Sequence, residues 1–155
     1  KIGLEKYDKT LVTELFSLLA LSKVDYTRFF RKLSTFPKNI SLLKDCFYSP
    51  CSEQVKNYWN NWLVKWLNQI KKFNKLENVS YEMNLINPKY TWREWLIVEA
   101  YERAEDGDYS LLNEMQIILS KPYDNQSEEV EKKYDRLKPE EFFNYGGISH
   151  YSCSS

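Results

Sequence analysis

The chain contains few of the residues that would mark a self-sufficient enzyme site. Among its 155 residues there are one histidine, three cysteines and four glycines. A glycine-rich phosphate loop is absent, because the only adjacent pair, Gly146 and Gly147, precedes no predicted helix. The lone histidine and the scattered cysteines show none of the spacing that a zinc site requires. We therefore expect this chain to bind no metal or nucleotide by itself.

Net charge and long hydrophobic runs are also missing. Lysine plus arginine and aspartate plus glutamate both total 22, so the basic surface typical of nucleic-acid binding is not expected. The nearest basic group would lie on the solvated side of a helix, at Lys65, Lys71, Lys72 and Lys75. No run approaches the roughly 18 apolar residues that cross a bilayer, so no membrane partner is expected. Since the chain starts at Lys1 without an initiator Met, we expect it to be cut from a longer polypeptide.

The three cysteines form no regular disulfide framework, which is typical of a reducing compartment. Cys46 and Cys51 bracket a turn and could form a disulfide in an oxidising compartment. Cys153 lies two positions from the C-terminus between serines, where an exposed thiol is open to oxidation. A nucleophilic pair of Cys153 with His150 is conceivable, but no rigid element would hold its geometry. No catalytic residue is therefore assigned.

Three N-cap residues predict where helices begin. Asp8 precedes an apolar pattern with helical spacing that ends near Leu21, and Asp25 precedes a shorter one that Pro37 ends. Ser52 precedes the strongest amphipathic pattern, which runs to about residue 73. Its apolar stripe consists of Val55, Trp59, Trp62, Trp66 and Phe73, widened by Leu63, Leu67 and Ile70. Aromatic residues at this spacing indicate core packing in preference to a ligand platform.

The second half of the chain carries further helix signals. Asn87 followed by Pro88 has the pattern of a helix start, and Asp106-Gly107 has that of a helix end. Asp108 is expected to cap the next helix, which Pro122 would terminate. The charge-rich stretch Ser127–Leu137 is either a solvated helix or disordered. We predict an all-α fold with a helical body over 1–122 and a charged segment with a flexible tail over 123–155.

Five stretches, in this order, resemble one protein family. They are VDYTRFFR at 24–31, Met83 followed by NPKY at 87–90, AEDGDY at 104–109, KPYD at 121–124 and SCSS at 152–155. Together they resemble the C-terminal portion of the selenoprotein O (SelO) family of kinase-like protein adenylyltransferases. The resemblance runs from about Leu4 to Ser155. The charged insert at 125–138 and the aromatic-glycine segment at 142–147 depart from the family pattern.

The resemblance implies a protein-kinase-like parent fold, of which this chain is the helical C-terminal part with an irregular tail. It implies an enzyme that uses ATP and magnesium to transfer AMP to hydroxyl side chains of proteins. The family's nucleotide-binding and metal-binding residues precede this stretch, so none falls within residues 1–155. One residue matches a functional position: Cys153 corresponds to the family's redox-active C-terminal position. Its disulfide partner is expected in the kinase-like core, with Cys46 and Cys51 as less favoured partners.

The expected partners are therefore the N-terminal kinase-like core of the same polypeptide and the protein substrates of the parent. The Lys/Asn/Tyr-rich composition favours a eukaryotic source, for which the resemblance implies the mitochondrion; for a bacterial source it implies the cytoplasm. The alternative is a stand-alone helical protein-interaction module without catalysis. That alternative predicts a coding sequence that begins near Lys1 and aromatic stripes that close on themselves in a stable monomer.

Overall fold

The computed structural model describes residues 2–73 and 75–144. Within these ranges the only β pairing is an isolated bridge between Val24 and Phe47, so the all-α prediction is confirmed for them. The chain divides into two compact units, the N unit (Lys1–Pro88) and the C unit (Lys89–Ser155). The α-helices are α1 Lys9–Leu21, α2 Tyr26–Leu33, α3 Glu53–Lys71, α4 Leu76–Ile86, α5 Glu94–Glu105, α6 Ser110–Leu119 and α7 Glu128–Tyr134, and two 3₁₀ helices cover Ile40–Cys46 and Glu140–Asn144.

The core of the N unit is built around three tryptophans of α3. Trp59, Trp62 and Trp66 are all at most 1% exposed. The rings of Trp62 and Trp66 stack with centroids 5.6 Å apart, and Trp59 meets Trp62 edge-to-face. The core prediction for these tryptophans is therefore confirmed. It is wrong for Phe73, which lies beyond the end of α3 and is 47% exposed.

Each of these indole N–H groups donates a hydrogen bond, which removes the cost of burying a polar atom. The acceptors are the Ser22 hydroxyl for Trp59, the Leu11 carbonyl for Trp62 and the Ile2 carbonyl for Trp66. These bonds attach α3 to α1, to the residue after α1 and to the N-terminal segment. The tryptophan stripe thus fixes the path of the chain as well as filling the core.

The three predicted N-caps are confirmed. The side chains of Asp8, Asp25 and Ser52 accept hydrogen bonds from backbone N–H groups in the first turns of α1, α2 and α3. Each of these signals is local, since the cap and the amide that it satisfies are three residues apart.

The predicted helix start at Asn87-Pro88 is wrong. Asn87 is instead the C-cap of α4, a helix that was not predicted, and its backbone N–H donates to the Met83 carbonyl. The next helix, α5, begins only at Glu94. Between the two helices, the backbone N–H groups of Lys89 and Tyr90 both donate to the Pro122 carbonyl.

The C unit has its own apolar cluster, to which α5, α6 and α7 contribute. The predicted helix end is confirmed, since Gly107 has a φ of +84° and follows the C-cap Asp106. The Asp108 carboxylate accepts from the Ser110 backbone N–H, although the N-cap position itself is Tyr109. The buried members are Tyr90, Trp95, Leu96, Ala100, Leu111, Met115, Ile118 and Tyr134.

For the charge-rich stretch Ser127–Leu137, a solvated helix and disorder were the two alternatives, and a helix is confirmed over Glu128–Tyr134. Ser127 caps α7, and Tyr134 at its end is buried in the C unit cluster. Two aromatic residues before and on α5 contribute little to the core. Trp92 lies before α5 and is 54% exposed, and Tyr101 faces solvent with 49% exposure.

Candidate functional site

Within the described residues, the stretches that carry the family resemblance lie where helices begin or end. Asp25, the acidic residue of VDYTRFFR, is buried and caps α2 with one carboxylate oxygen. Its second oxygen accepts from the Tyr48 hydroxyl at 3.2 Å, and its backbone N–H donates to the Cys46 carbonyl at 2.8 Å. This carboxylate therefore holds α2 against the segment that follows the first 3₁₀ helix.

Two other residues of the stretches that resemble the family each cap the C-terminal end of the helix to which the other belongs. The Asn87 side-chain amide donates to the Phe30 carbonyl at 3.1 Å, in the last turn of α2. The Arg31 guanidinium donates to the carbonyls of Asn84 and Asn87 at 2.8 and 3.1 Å, at the end of α4. Carbonyls in a last helical turn lack intrahelical partners, so this exchange satisfies acceptors at both helix ends. We call this set of four residues, Phe30, Arg31, Asn84 and Asn87, the α2–α4 joint.

The NPKY and KPYD stretches also meet. The backbone N–H groups of Lys89 and Tyr90 lie 2.7 and 3.1 Å from the Pro122 carbonyl. The Lys89 ammonium, whose side chain is only 11% exposed, forms an ion pair with Glu131 of α7 and a hydrogen bond to Asn125 at 3.2 Å. These residues position backbone and helices, and they form no set of reacting groups.

The described cysteines differ in their ability to react. Burial raises the pKa of the Cys46 thiol from 9.0 to about 11, so the reactive thiolate is scarce at neutral pH. Cys51 is half-buried, with its sulfur 3.9 Å from the Ser22 hydroxyl oxygen. Both are free thiols, so the disulfide between them that the sequence allowed is not formed. The candidate redox residue Cys153 and its neighbour His150 lie outside the described residues.

The carboxylates of α5 face solvent. Glu94, Glu102 and Glu105 are exposed, and Glu99 pairs with Arg103 one turn later at 2.6 Å. Across residues 2–73 and 75–144, no three histidine, cysteine or acidic side chains come together as a metal site. In the same ranges, no helix combines the length and the apolar character needed to span a membrane.

The N unit carries a groove of about 740 Å³ between its N-terminal segment, α1, α2 and α4. We call it the α1–α4 groove. Three of its side chains are large, apolar and well exposed: Tyr7 at 77%, Phe16 at 59% and Ile86 at 42%. Most of its lining side chains are apolar, with Glu5 and Glu82 as the two carboxylates, so it can hold apolar side chains of a partner. The full lining is Ile2, Gly3, Leu4, Glu5, Tyr7, Val12, Leu15, Phe16, Phe30, Glu82, Met83 and Ile86.

Sequence reasoning did not find this groove. Its walls come from the N-terminal segment, α1, α2 and α4, which are far apart along the chain. The signal for the groove in the sequence was Phe16. This aromatic residue lies beside the buried leucines of α1, so the apolar face of α1 is wider than one neighbouring helix can cover.

Comparisons with known proteins agree with the motif resemblance. The family model described as "Protein adenylyltransferase SelO" matches residues 1–120. The whole chain is 34% identical to "Protein nucleotidyltransferase YdiU" from Flavobacterium johnsoniae, covering 32% of that protein, and 33% identical to the protein of the same name from Aromatoleum aromaticum, covering 31%. A third similar protein of that name, from Methylobacillus flagellatus, is 31% identical over 94% of this chain and 29% of its own length. The chain thus spans about a third of the length of the curated relatives that it matches.

Proposed function

Because the chain belongs to the SelO family of protein adenylyltransferases, we propose that it is the helical C-terminal part of such an enzyme. The parent would transfer AMP from ATP to serine, threonine or tyrosine hydroxyls of proteins. The observation that carries this proposal is the family match over residues 1–120, joined by relatives that are three times longer and are named as protein nucleotidyltransferases. This chain would support the catalytic part and supply a regulatory tail.

The chemistry is assigned to the polypeptide outside this chain. ATP and magnesium need acidic metal ligands, and residues 2–73 and 75–144 bring no such group together. The proposed partners of the chain are therefore the kinase-like core that would precede it and, through that core, the protein substrates. The named relatives are bacterial, which favours the bacterial cytoplasm over the mitochondrion as the compartment of the parent.

We further propose that Cys153 is a redox-sensitive regulatory thiol whose partner is a cysteine of the kinase-like core. Cys46 is a poor partner, because its sulfur is buried and its pKa is raised to about 11. Disulfide formation would join the two sulfurs, while two protons and two electrons pass to a small-molecule disulfide such as oxidised glutathione. Closing such a loop contributes about 2–4 kcal/mol, enough to shift a tail between docked and undocked states.

The test measures transfer of labelled AMP to protein by the complete parent enzyme in reduced and in oxidised glutathione buffers. For the wild type we expect activity to differ between the two buffers, and for Cys153→Ser to be equal in both. Cys51→Ser is the matched control and should retain the redox dependence. Equal wild-type activity in both buffers would refute the regulatory role, and no AMP transfer in either buffer would refute the adenylyltransferase assignment.

A stand-alone helical interaction module is the second candidate. The observation that favours it is that each unit encloses an apolar cluster of its own. The two candidates predict different coding sequences. The adenylyltransferase requires coding sequence before Lys1 that contains a kinase-like lysine and acidic metal ligands. The module requires a coding sequence that starts near Lys1. Sequencing upstream of Lys1 separates them.

A further inference from the structure

We propose that the α1–α4 groove is the docking surface for the polypeptide that precedes Lys1 in the parent enzyme. The inference rests on the proposed function, since it takes the catalytic part to be joined to this chain at its N-terminus. It adds a specific surface of the N unit and an occupant for that surface.

The path of the N-terminal segment is the first argument. Ile2, Leu4 and Tyr7 line the groove, and the Ile2 carbonyl accepts from the Trp66 indole N–H at 2.7 Å. Gly3 has a φ of +69°, and a Cβ there would lie 2.5 Å from a Val79 methyl group. The segment is therefore held tightly on α3 and α4. A polypeptide that precedes it would emerge beside the groove, at a high effective concentration.

The exposed apolar side chains are the second argument. Phe16 and Ile86 are large and apolar, with 59% and 42% of their surface exposed, and they line one concave surface. Leu85 on α4 is as exposed but lies outside the groove. Scattered exposed side chains of that kind are normal, whereas a concave apolar surface is typical of an interaction site.

The size of the missing polypeptide is the third argument, and it favours this occupant over a second copy of the chain. The relatives are about three times as long as this chain, so the parent would contain roughly two thirds of its residues outside it. A tethered segment can occupy a groove of about 740 Å³ without losing the translational freedom of a separate partner. Two separate copies would have to bury about 800 Å² on each side to form a stable dimer.

Hydroxyl-radical footprinting read by mass spectrometry tests the proposal on the complete parent and on the isolated chain. Phe16 is the reporter, and Leu21 on the same helix is its matched control. We expect labelling of Phe16 in the parent to fall roughly tenfold below that in the isolated chain, as its ring becomes buried. Labelling of Leu21 relative to an internal standard should change much less.

A pair of substitutions on α4 makes the test specific. Ile86→Lys places a charge in the groove, and Leu85→Lys places the same charge beside it. In the parent, Ile86→Lys should return Phe16 labelling to the level of the isolated chain, and Leu85→Lys should leave the protection in place. Circular dichroism of the isolated chain with either substitution checks that α4 still folds. If a variant does not fold, the comparison of Phe16 labelling between the wild-type parent and the wild-type isolated chain still tests the proposal.

AMP transfer is measured on the same parent samples, so that the two proposals fail separately. An active parent in which Phe16 is labelled as in the isolated chain overturns the docking surface and leaves the enzyme assignment in place. Protection of Phe16 without AMP transfer supports the docking surface and counts against the enzyme assignment. Protection in the isolated chain that grows with its concentration identifies a second copy as the occupant and overturns the proposal.

Discussion

At the scale of single residues, burial decides which side chains of this chain can react. The Cys46 side chain is fully buried, and its backbone carbonyl accepts from the Asp25 backbone N–H. Burial raises the Cys46 pKa because the thiolate would lose its hydration. The same packing that makes Cys46 a core residue thus makes it a poor nucleophile.

The raised pKa predicts a dependence of stability on pH. The folded-state pKa of about 11 exceeds the ordinary 9.0, so the protonated thiol contributes stability that is complete below pH 9.0 and is lost as the pH rises through 11. The loss would amount to at most about 2–3 kcal/mol in the free energy of unfolding. Urea unfolding at pH 8 and pH 11 should show a smaller pH-dependent loss for Cys46→Ala than for the wild type.

Other side chains titrate over the same pH range, so the comparison needs a control. Cys51→Ala removes a half-buried thiol from the same unit and should keep the wild-type loss. If the wild type and Cys46→Ala lose equal free energy between the two pH values, the buried thiol does not carry the effect.

At the scale of helices, the α2–α4 joint depends on the side-chain amide of Asn87. Asn87 is 4% exposed, and its amide donates to the Phe30 carbonyl at the end of α2. Asn87→Ala would leave that carbonyl without this donor in a partly buried place. We expect a loss of about 1–3 kcal/mol in the free energy of unfolding, measured by urea denaturation.

Asn61→Ala is the matched control for this prediction. Asn61 lies on the exposed side of α3, where alanine is the better helix former, so the free energy of unfolding should stay within about 0.5 kcal/mol of the wild type. Equal effects of the two substitutions would show that the Asn87 amide contributes nothing beyond its volume.

The same joint shows why sequence reasoning succeeded at some helix ends and failed at others. The caps at Asp8, Asp25 and Ser52 were predictable because the cap side chain and the backbone N–H group that donates to it are neighbours in sequence. Asn87-Pro88 has the local pattern of a helix start, yet proline is also common just after a helix end. The deciding contact joins Asn87 to Phe30, 57 residues away, and nothing in the local sequence records it.

Sequence reasoning likewise predicted the core beside the candidate site but not the groove itself. The tryptophan core followed from spacing alone, because buried aromatic residues on a helix repeat every three to four positions. The α1–α4 groove did not, since concavity arises only when segments remote in sequence come together. The unpredicted helix α4 contributes one wall of the groove, although its apolar residues Leu76, Val79, Met83 and Ile86 do recur at helical spacing in the sequence.

At the scale of the whole chain, the closed tryptophan core of the N unit predicts that this unit folds without the C unit. In the described part of the chain, the buried members of its cluster all precede Pro88 and come from α1, α2, α3, α4 and the first 3₁₀ helix. The polypeptide 1–88 should therefore unfold cooperatively in urea. It should also keep a near-ultraviolet circular dichroism signal from the stacked Trp62 and Trp66 rings, which lie 5.6 Å apart.

Trp62→Ala in the same polypeptide is the control, because it removes one ring of the stack and about 3–5 kcal/mol of core stability. Its near-ultraviolet signal should disappear together with the cooperative transition. A gradual, non-cooperative unfolding of the unsubstituted 1–88 would mean that its tryptophan core needs residues from the C unit. A cooperative transition would mean that the N unit can present its apolar groove as a folded surface, as docking of a preceding catalytic polypeptide requires.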